Sequence, residues 1–204
     1  MFTGIVTELA EVSHIERSDH DGISTITVAA PGTVQDLDIG DSIAVNGVCL
    51  TAVEVTESGF SVQAVPETLS RSNLGSLEPG AAVNLERPMS ASSRFDGHIV
   101  QGHVDGVGTI LSMTDDGGST LVRCTLPSAL TPYVVEKGSV TIDGTSLTVA
   151  EVTPTGTADA WFGVALIPHT MSVTTFGSRS VGDVVNIEVD VIAKYVERMM
   201  GGPS

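Results

Sequence analysis

The sequence contains the phrase Asn46-Gly47-Val48-Cys49-Leu50-Thr51 and, later, a second version of it, Asp143-Gly144-Thr145-Ser146-Leu147-Thr148. Between Gly47–Thr56 and Gly144–Thr153, six of ten positions are identical without a gap. Because side chains alternate between the two faces of a strand, Cys49 and Thr51 share one face, as do Ser146 and Thr148. The sequence therefore predicts two related sites, one with a thiol where the other has a hydroxyl.

The duplication extends over almost the whole chain. Small and polar residues recur at matching places: Gly4, Gly40, Gly75, Asn84 and Glu86 of the first half match Gly102, Gly138, Gly177, Asn186 and Glu188 of the second. The offset between partners drifts by a few residues, as insertions in the loops between shared strands would cause. We therefore expect a first domain over 1–97 that ends in a polar linker, a second over 98–189, and a tail over 190–204.

Each repeat is predicted to consist of short strands. In the first repeat we expect strands near 4–13, 23–29, 42–46, 49–56, 59–65 and 82–86, with a short helix over 67–74. An open six-stranded sheet would leave exposed edges, which closure into a barrel removes. The predicted fold class is all-β, with two tandem six-stranded barrels. Such barrels are too narrow to hold a ligand inside, so a ligand would bind at a barrel mouth or between barrels.

The tail is predicted to be helical from Asp190 to Met200, because it carries an apolar stripe at helical spacing: Ile192, Tyr195, Val196 and Met199. This stripe must be covered, either by the chain's own barrel or by the same helix of other subunits, and the sequence favours neither. The final Gly-Gly-Pro-Ser is expected to fray.

Composition and charge exclude several classes of function. The formal net charge of -16 disfavours binding to nucleic acid or to an anionic membrane, since both need clustered Lys and Arg. The first residues form no signal peptide, and no apolar stretch approaches the length of a membrane-spanning helix. Two cysteines make no disulfide framework, so we expect reduced thiols and a cytoplasmic location.

Cys49 is the first candidate for chemistry. Its counterpart in the repeat is Ser146, and a thiol and a hydroxyl at equivalent positions indicate a shared ligand surface with one reactive member. Core filler is an equal alternative for Cys49 on the pattern alone. Cys124 lies in an ordinary strand pattern and is expected to pack in the core.

Two histidines, His98 and His103, suggest a metal site, which we reject. Their odd separation places them on opposite faces of an extended chain, and no carboxylate or thiol stands at ligand spacing. His103 replaces the aliphatic Ile5 of the other repeat, which hints at function, although a structural histidine is the simpler interpretation. Asp190, at the start of the tail helix, is explained by N-capping.

Together these stretches resemble the riboflavin synthase family, the alpha-type enzymes built from two lumazine-binding repeats. The resemblance covers almost the whole chain and rests on the joint order of several phrases: Met1–Val6, Asn46–Thr51, Pro66–Leu69, Gly97–Gly106, Asp143–Thr148 and Val185–Asp190. It implies two Greek-key barrels and a C-terminal helix that assembles a homotrimer. It also implies that two molecules of 6,7-dimethyl-8-ribityllumazine exchange a four-carbon unit, giving riboflavin and 5-amino-6-(ribitylamino)uracil, without a metal or redox cofactor.

The resemblance assigns roles residue by residue. Cys49 and His103 resemble the family's proposed nucleophile and acid–base groups, and Ser146 and Thr148 resemble residues that hold substrate or a water molecule. Asp190 matches an acidic position at the site, while Ser42 and Lys137 match polar positions near the ligands. Phe2 is expected to cover or orient a bound ring. In the family, the first barrel of one subunit faces the second barrel of the next, and association with lumazine synthase is a further expected partnership.

Recognition of the ligand rings is expected to come largely from backbone groups. The expected positions in the first barrel and its leading segment are Gly4, Ile5, Val6, Val48, Leu50, Thr51, Gln63, Ala64, Val65, Pro66, Glu67 and Thr68. The equivalents in the second are Gly102, Val104, Leu147, Ala165, Leu166, Ile167, Pro168, His169 and Thr170.

The chain departs from the family pattern at two positions. Val48 stands where some members have a second cysteine, and His169 replaces an acidic residue. The main alternative is a non-catalytic protein of the same fold that holds a lumazine or flavin as an optical antenna. The presence of polar site residues in both halves favours the enzyme, and a thiol hydrolase is a distant third because no triad pattern is visible.

Overall fold

The computed structural model describes residues 1–18 and 20–201. The first repeat forms six strands: β1 (Glu8–Arg17), β2 (Ser24–Ala29), β3 (Ser42–Val45), β4 (Val48–Val55), β5 (Gly59–Ala64) and β6 (Ala82–Glu86). A short helix, α1 (Pro66–Arg71), lies between β5 and β6. All neighbouring strands are antiparallel, and the sheet closes in the order β1-β2-β5-β4-β3-β6.

The second repeat has the same architecture. Its strands are β7 (Gly106–Asp115), β8 (Thr120–Thr125), β9 (Ser139–Ile142), β10 (Thr145–Val152), β11 (Trp161–Leu166) and β12 (Val184–Val189). Helix α2 (Pro168–Val173) occupies the place of α1, and α3 (Val191–Met199) follows the last strand. The barrel closes in the order β7-β8-β11-β10-β9-β12, which repeats the first topology strand for strand. The predicted fold of two six-stranded Greek-key barrels and a C-terminal helix is confirmed.

Each barrel is filled by its own apolar side chains. Ile26, Val28, Ile43, Val62 and Leu85 are fully buried in the first barrel, and Val122, Ile142, Phe162, Val164 and Ile187 are fully buried in the second. Cys124 belongs to the second core, as predicted, and burial raises the pKa of its thiol to about 12. Because these interiors are packed, ligand sites must lie on the outside of the barrels.

Two boundaries differ from the sequence prediction. The first strand was expected from residue 4 but begins at Glu8, because the leading residues leave their own barrel and contact the other. The expected helix over 67–74 ends at Arg71, and a separate helical turn follows from Asn73 to Ser76. The fraying expected at the C-terminus falls largely on residues 202–204, which lie outside the described residues.

The two barrels meet where the duplicated phrases touch. Gly47 and Gly144 lie back to back: a Cβ atom on Gly47 would lie 2.6 Å from the Gly144 nitrogen, and the reverse contact is 2.7 Å. Both glycines have positive φ angles, 76° and 77°, which L side chains rarely adopt. Each of the two positions therefore requires glycine for two reasons: its φ angle is positive, and there is no room for a Cβ atom.

Buried amides surround this glycine contact in matched pairs. Asn84 donates to the backbone oxygen of Asp143 at 2.9 Å, and Asn186 donates to that of Asn46 at 2.8 Å. The backbone N–H groups of Asn84 and Asn186 donate in turn to the side chains of Asn46 and Asp143. Each bond satisfies a group that would cost about 1–3 kcal/mol if buried without a partner.

One charge breaks the symmetry of this network. Asp143 replaces the Asn46 of the first repeat and is 1% exposed. Burial raises the pKa of its carboxyl group, while Arg179, at 2.6 Å, opposes that rise by stabilising the ionised form. Arg179 compensates the negative charge of this carboxyl group, since removing one partner of a buried pair leaves the other uncompensated.

Helix α3 docks on its own barrel through polar groups. Asp190 caps the helix by accepting the Ile192 N–H, as predicted, and Lys194 pairs with Asp105 at 2.6 Å. Tyr133 donates to Glu197. The predicted apolar stripe stays exposed, from 49% at Val196 to 85% at Met199. In residues 1–18 and 20–201, no helix has the length and apolar character needed to cross a membrane.

The glycine contact can be tested with two alanine variants that share backbone strain but differ in surroundings. Gly40 has a φ of 96° and no atom within 4 Å of an added Cβ, so Gly40→Ala should cost only the strain of about 1–2 kcal/mol. Gly47→Ala adds a clash with the other barrel and should cost clearly more. Urea unfolding of both variants measures the difference. Equal losses in free energy of unfolding would show that the barrels tolerate separation at this point.

Candidate active site

Two short segments cross between the barrels and build two outward-facing sites. The Gly102 carbonyl oxygen accepts the Cys49 N–H at 2.8 Å, and the Gly4 carbonyl oxygen accepts the Ser146 N–H at 2.7 Å. A Cβ atom at either glycine would lie 2.6 Å from the Cβ of the residue it faces. The segment of each repeat thus completes the site of the other, with glycine required for the close approach.

A buried glutamate holds each crossing segment. Glu86 accepts the Thr3 and Gly4 N–H groups, at 2.6 and 2.9 Å. Glu188 accepts the N–H groups of Gln101, Gly102 and His103, at 2.7, 3.0 and 3.0 Å. Burial raises the pKa of both carboxyl groups, and the backbone hydrogen bonds partly oppose that rise. These carboxylates fix the segments that carry the site residues.

Cys49 lies in a pocket of about 170 Å³ on the first barrel. Its side chain is partly exposed, whereas the neighbouring Leu50 points into the core of the barrel. The pocket is also lined by predicted residues from three elements: Val48, Glu67, Thr68, Gly102, His103 and Val104. The structure therefore brings together the two groups predicted for chemistry, Cys49 and His103.

The same pocket includes two residues that the sequence analysis missed. Arg71 and Ser72 line it at the end of α1, and Arg71 donates to Glu67 one turn earlier. Comparison of the two repeats could have indicated Arg71, because the second repeat has Val173 in its place and has His169 in the place of Glu67. The rims of the two sites thus differ in charge.

Phe2 lies beneath the first site rather than over it. Its side chain is 1% exposed and packs with Ala44, Val100 and Cys49. Its backbone pairs with Val100 in both directions, at 2.8 and 3.1 Å. The expectation that this ring covers a ligand does not fit the described conformation, because the seam between the barrels already buries it. Phe2 instead supports Cys49 from below.

Ser146 occupies the equivalent position on the second barrel. Its hydroxyl lies 2.7 Å from Nδ1 of His98, a residue that the sequence analysis set aside. Burial lowers the pKa of His98, and the negative charge of Asp190 opposes that shift. The repeat gave no signal for His98, because its matching position would precede Met1. The second site therefore gathers Ser146, His98 and Asp190.

The hydroxyl residues near each site pair across neighbouring strands. Ser42 is opposite Thr51 in the first barrel, and Ser139 is opposite Thr148 in the second. Side chains directly opposite each other share a face, so each pair lies on the outward face beyond Cys49 or Ser146. Lys137 is exposed just before the start of β9, where its N–H donates to the carbonyl oxygen of Val149, the residue after Thr148.

The remaining predicted binding positions lie around these two centres. Ile5 and Val6 continue the first crossing segment, while Gln63, Ala64, Val65 and Pro66 lead from β5 into α1. Ala165, Leu166, Ile167, Pro168, His169 and Thr170 lead in the same way from β11 into α2, and Leu147 lies between Ser146 and Thr148 on β10. Ala64 and Leu166 are buried, so only their backbone groups could face a ligand. Within residues 1–18 and 20–201, no group of three or more His, Cys, Asp or Glu is placed to hold a metal ion.

Two matched barrels with outward-facing sites define a tandem small-molecule-binding protein, and comparison with known proteins gives its family. The lumazine binding domain family matches residues 3–88 and 101–190. The chain is 50% identical to the riboflavin synthase of Mycobacterium tuberculosis over 202 residues, which cover 98% of both chains. It is 43% identical to the riboflavin synthase of Actinobacillus pleuropneumoniae over 98% of this chain and 90% of that one. The chain belongs to the riboflavin synthase family and carries its two lumazine-binding domains.

A solved structure supports the fold independently of close sequence similarity. The structure of LumP complexed with 6,7-dimethyl-8-(1'-D-ribityl) lumazine matches with a TM-score of 0.81 at 22% identity, over 93% of this chain and 99% of that chain. At that identity the likeness concerns the arrangement of the two barrels. The antenna-type alternative shares this arrangement, so the fold by itself does not distinguish the two functions.

The raised pKa of Glu188 gives a testable pH dependence. The folded protein keeps this proton to higher pH than the unfolded chain, so its contribution to stability falls as pH rises from the ordinary value of 4.5 through the raised value. Glu188→Gln cannot titrate, so the difference in unfolding free energy between wild type and variant should shrink over that window. Urea unfolding in pH steps measures it, with the exposed Glu11→Gln as control. A difference that is constant with pH would contradict the burial argument.

Proposed function

We propose that the chain catalyses the dismutation of two 6,7-dimethyl-8-ribityllumazine molecules to riboflavin and 5-amino-6-(D-ribitylamino)uracil. The observation that carries the proposal is the pair of matched sites, one per barrel, in a chain of the riboflavin synthase family. A reaction between two copies of one substrate needs two related binding sites, and a gene duplication supplies them. The differences between the sites then allow one copy to donate and the other to accept.

Holding the two rings in reacting orientation is the largest contribution that we assign to the protein. Aligned reactants can lower a barrier by about 7–11 kcal/mol, whereas a single acid or base group typically contributes about 10²–10⁴-fold. Backbone groups of the crossing segments and of the chain entering α1 and α2 would orient the rings. Their positions are fixed by Glu86, Glu188 and the glycine contacts.

Cys49 and His103 would supply chemistry in the first site. The methyl group on carbon 7 of the lumazine is acidic because its anion delocalises into the ring, so a base can remove a proton there. His103 is exposed in the same pocket as Cys49 and could serve as that base. Cys49, or a water molecule beside it, could add at carbon 7 of the partner molecule.

Ser146, Thr148 and Asp190 would hold the second substrate. Ser146 and Thr148 share the outward face of β10. Asp190 caps the start of α3, and its charge acts on His98, which contacts Ser146. Ser42 and Lys137 would contribute polar contacts at the edges of the two sites. The domain division at 97 and 189 follows from the same proposal, with each barrel as one substrate-binding unit.

A homotrimer would bring the first barrel of one subunit against the second barrel of the next. The exposed apolar stripe of α3 supports this assembly, because a stripe at helical spacing that its own barrel leaves uncovered is suited to packing between subunits. A cytoplasmic location would keep the Cys49 thiol reduced. Association with lumazine synthase would deliver the substrate where it is used.

The proposed function is tested by mixing the purified protein with 6,7-dimethyl-8-ribityllumazine, without additives, and following the absorbance of riboflavin. We expect catalytic formation of riboflavin with one pyrimidine released per flavin. Binding of the lumazine with a spectral change but no product would contradict the enzyme and support the antenna-type function.

Cys49→Ser should slow turnover by roughly 10²-fold and leave lumazine binding close to that of the wild type, because the pocket keeps its shape while losing the thiol. Steady-state kinetics and fluorescence titration measure the two effects separately. Cys124→Ala is the matched control, since it removes the other thiol from the core without touching the pocket. A normal turnover number in Cys49→Ser would remove this thiol from the mechanism.

The role of α3 is tested by charging its exposed stripe. Tyr195→Asp combined with Met199→Asp should give monomers with little activity. Both side chains are exposed, and the two carboxylates would place negative charge in an apolar interface. Sedimentation velocity reports the assembly. Ile39→Asp is the control, since Ile39 is equally exposed but lies on the first barrel. Trimers that persist in the doubly charged variant would contradict the role of α3 in assembly.

A further inference from the structure

The second site contains a histidine–serine contact that the proposed roles leave unused. Nδ1 of His98 lies 2.7 Å from Oγ of Ser146, and the other ring nitrogen, Nε2, is buried without a hydrogen-bond partner among the described residues. A buried polar atom without a partner is costly, so its retention indicates a functional reason.

The backbone around His98 is fixed with little freedom. The His98 N–H donates to the Thr3 carbonyl oxygen at 3.2 Å, and the bridge between Phe2 and Val100 follows directly. A Cβ atom at Gly97 would lie 2.1 Å from the same Thr3 oxygen and 3.0 Å from the Ser146 hydroxyl. Glycine at position 97 therefore lets the segment pass close enough for the imidazole to reach Ser146.

The two histidines of this crossing segment serve different sites. His103 lines the pocket of Cys49, whereas His98 reaches Ser146 on the other barrel. The segment that carries them is not a regular strand, and Gly102 within it has a φ of 78°, so the chain turns between the two histidines. Ile5 occupies the place of His103 at the second site, so the crossing segment that completes that site carries no histidine.

We propose that His98 and Ser146 form a dyad in which the neutral imidazole accepts the Ser146 hydroxyl proton through Nδ1. The proposal rests on the proposed function and adds a positioning and proton-accepting residue to its second site. Nε2 then carries the ring proton and is a hydrogen-bond donor without an acceptor among the described residues.

The proton transfer balances without any further reactant. When Oγ of Ser146 adds to carbon 7 of a bound lumazine, the O–H bond breaks, the proton moves to Nδ1 and the displaced electron pair enters the ring system. When the Oγ–carbon bond breaks, the same proton returns. The charged group that faces the imidazole is Asp190 at the start of α3. Its negative charge stabilises the imidazolium while the proton is on Nδ1. Ser146 and Thr3, from the other packed elements, carry no charge.

The first test measures the ligand-free protein. Nitrogen chemical shifts of ¹⁵N-labelled histidine, assigned by loss of a signal in His98→Gln, report which ring nitrogen is protonated. We expect Nε2–H with an unprotonated Nδ1, and a pKa below the ordinary 6.5 because the ring is buried. A proton on Nδ1 at neutral pH would overturn the dyad, whether or not the protein makes riboflavin.

The second test uses kinetics. His98→Gln keeps a hydrogen-bonding side chain but cannot accept a proton, so kcat should fall by roughly 10²-fold with little change in ligand binding. The acid limb of the pH profile should lose the contribution of His98 and change shape, and combining the change with Ser146→Ala should cost no more than Ser146→Ala alone. The exposed His14→Gln is the control. Additive losses, or an unchanged pH profile, would overturn the proposal. A wild type that makes no riboflavin would contradict the proposed function alone, and the nitrogen shifts would then decide the dyad.

Discussion

The back-to-back contact of Gly47 and Gly144 is the constraint on which the rest of the structure depends. With no side chain on either residue, the two duplicated turns approach until a Cβ on Gly47 would lie only 2.6 Å from the nitrogen of Gly144. The surrounding amides of Asn84 and Asn186 then exchange hydrogen bonds across the seam. These amide hydrogen bonds are directional, so they specify one relative placement of the barrels where a purely apolar contact would permit several.

That placement determines how the sites are built. Once the barrels are fixed, the residues leading into each one run along the seam and reach the outer face of the other barrel. Gly4 meets Ser146 and Gly102 meets Cys49, while Glu86 and Glu188 hold the segments in place. Each site is therefore made from both repeats, and neither barrel alone carries a complete one. The duplication supplies the symmetry, and single replacements such as Ser146 for Cys49 supply the difference between the sites.

The sequence predicted the barrels because their strands carry local signals, namely alternation, turns at glycine and a repeated phrase. It also predicted that Cys49 and Thr51 share a face, since that follows from strand geometry. It missed the departure of residues 4–7 from β1, because the contacts that hold Gly4, to Glu86 and Ser146, come from residues distant in sequence. It missed His98 for a similar reason: its partner Ser146 is distant in sequence, and the first repeat has no matching residue. Contacts between residues that are distant in sequence produce no periodic pattern in the sequence.

The most direct test of this account is the number of ligands that one chain binds. An 8-ribityllumazine analogue without the carbon-7 methyl group cannot lose a proton there, so its binding can be titrated by calorimetry without turnover. The account predicts two molecules per chain, with Arg71→Ala, in the pocket of Cys49, and Ser146→Ala each altering the affinity of a different one. A single molecule per chain, or one affinity changed by both substitutions, would contradict the existence of two sites built across the seam.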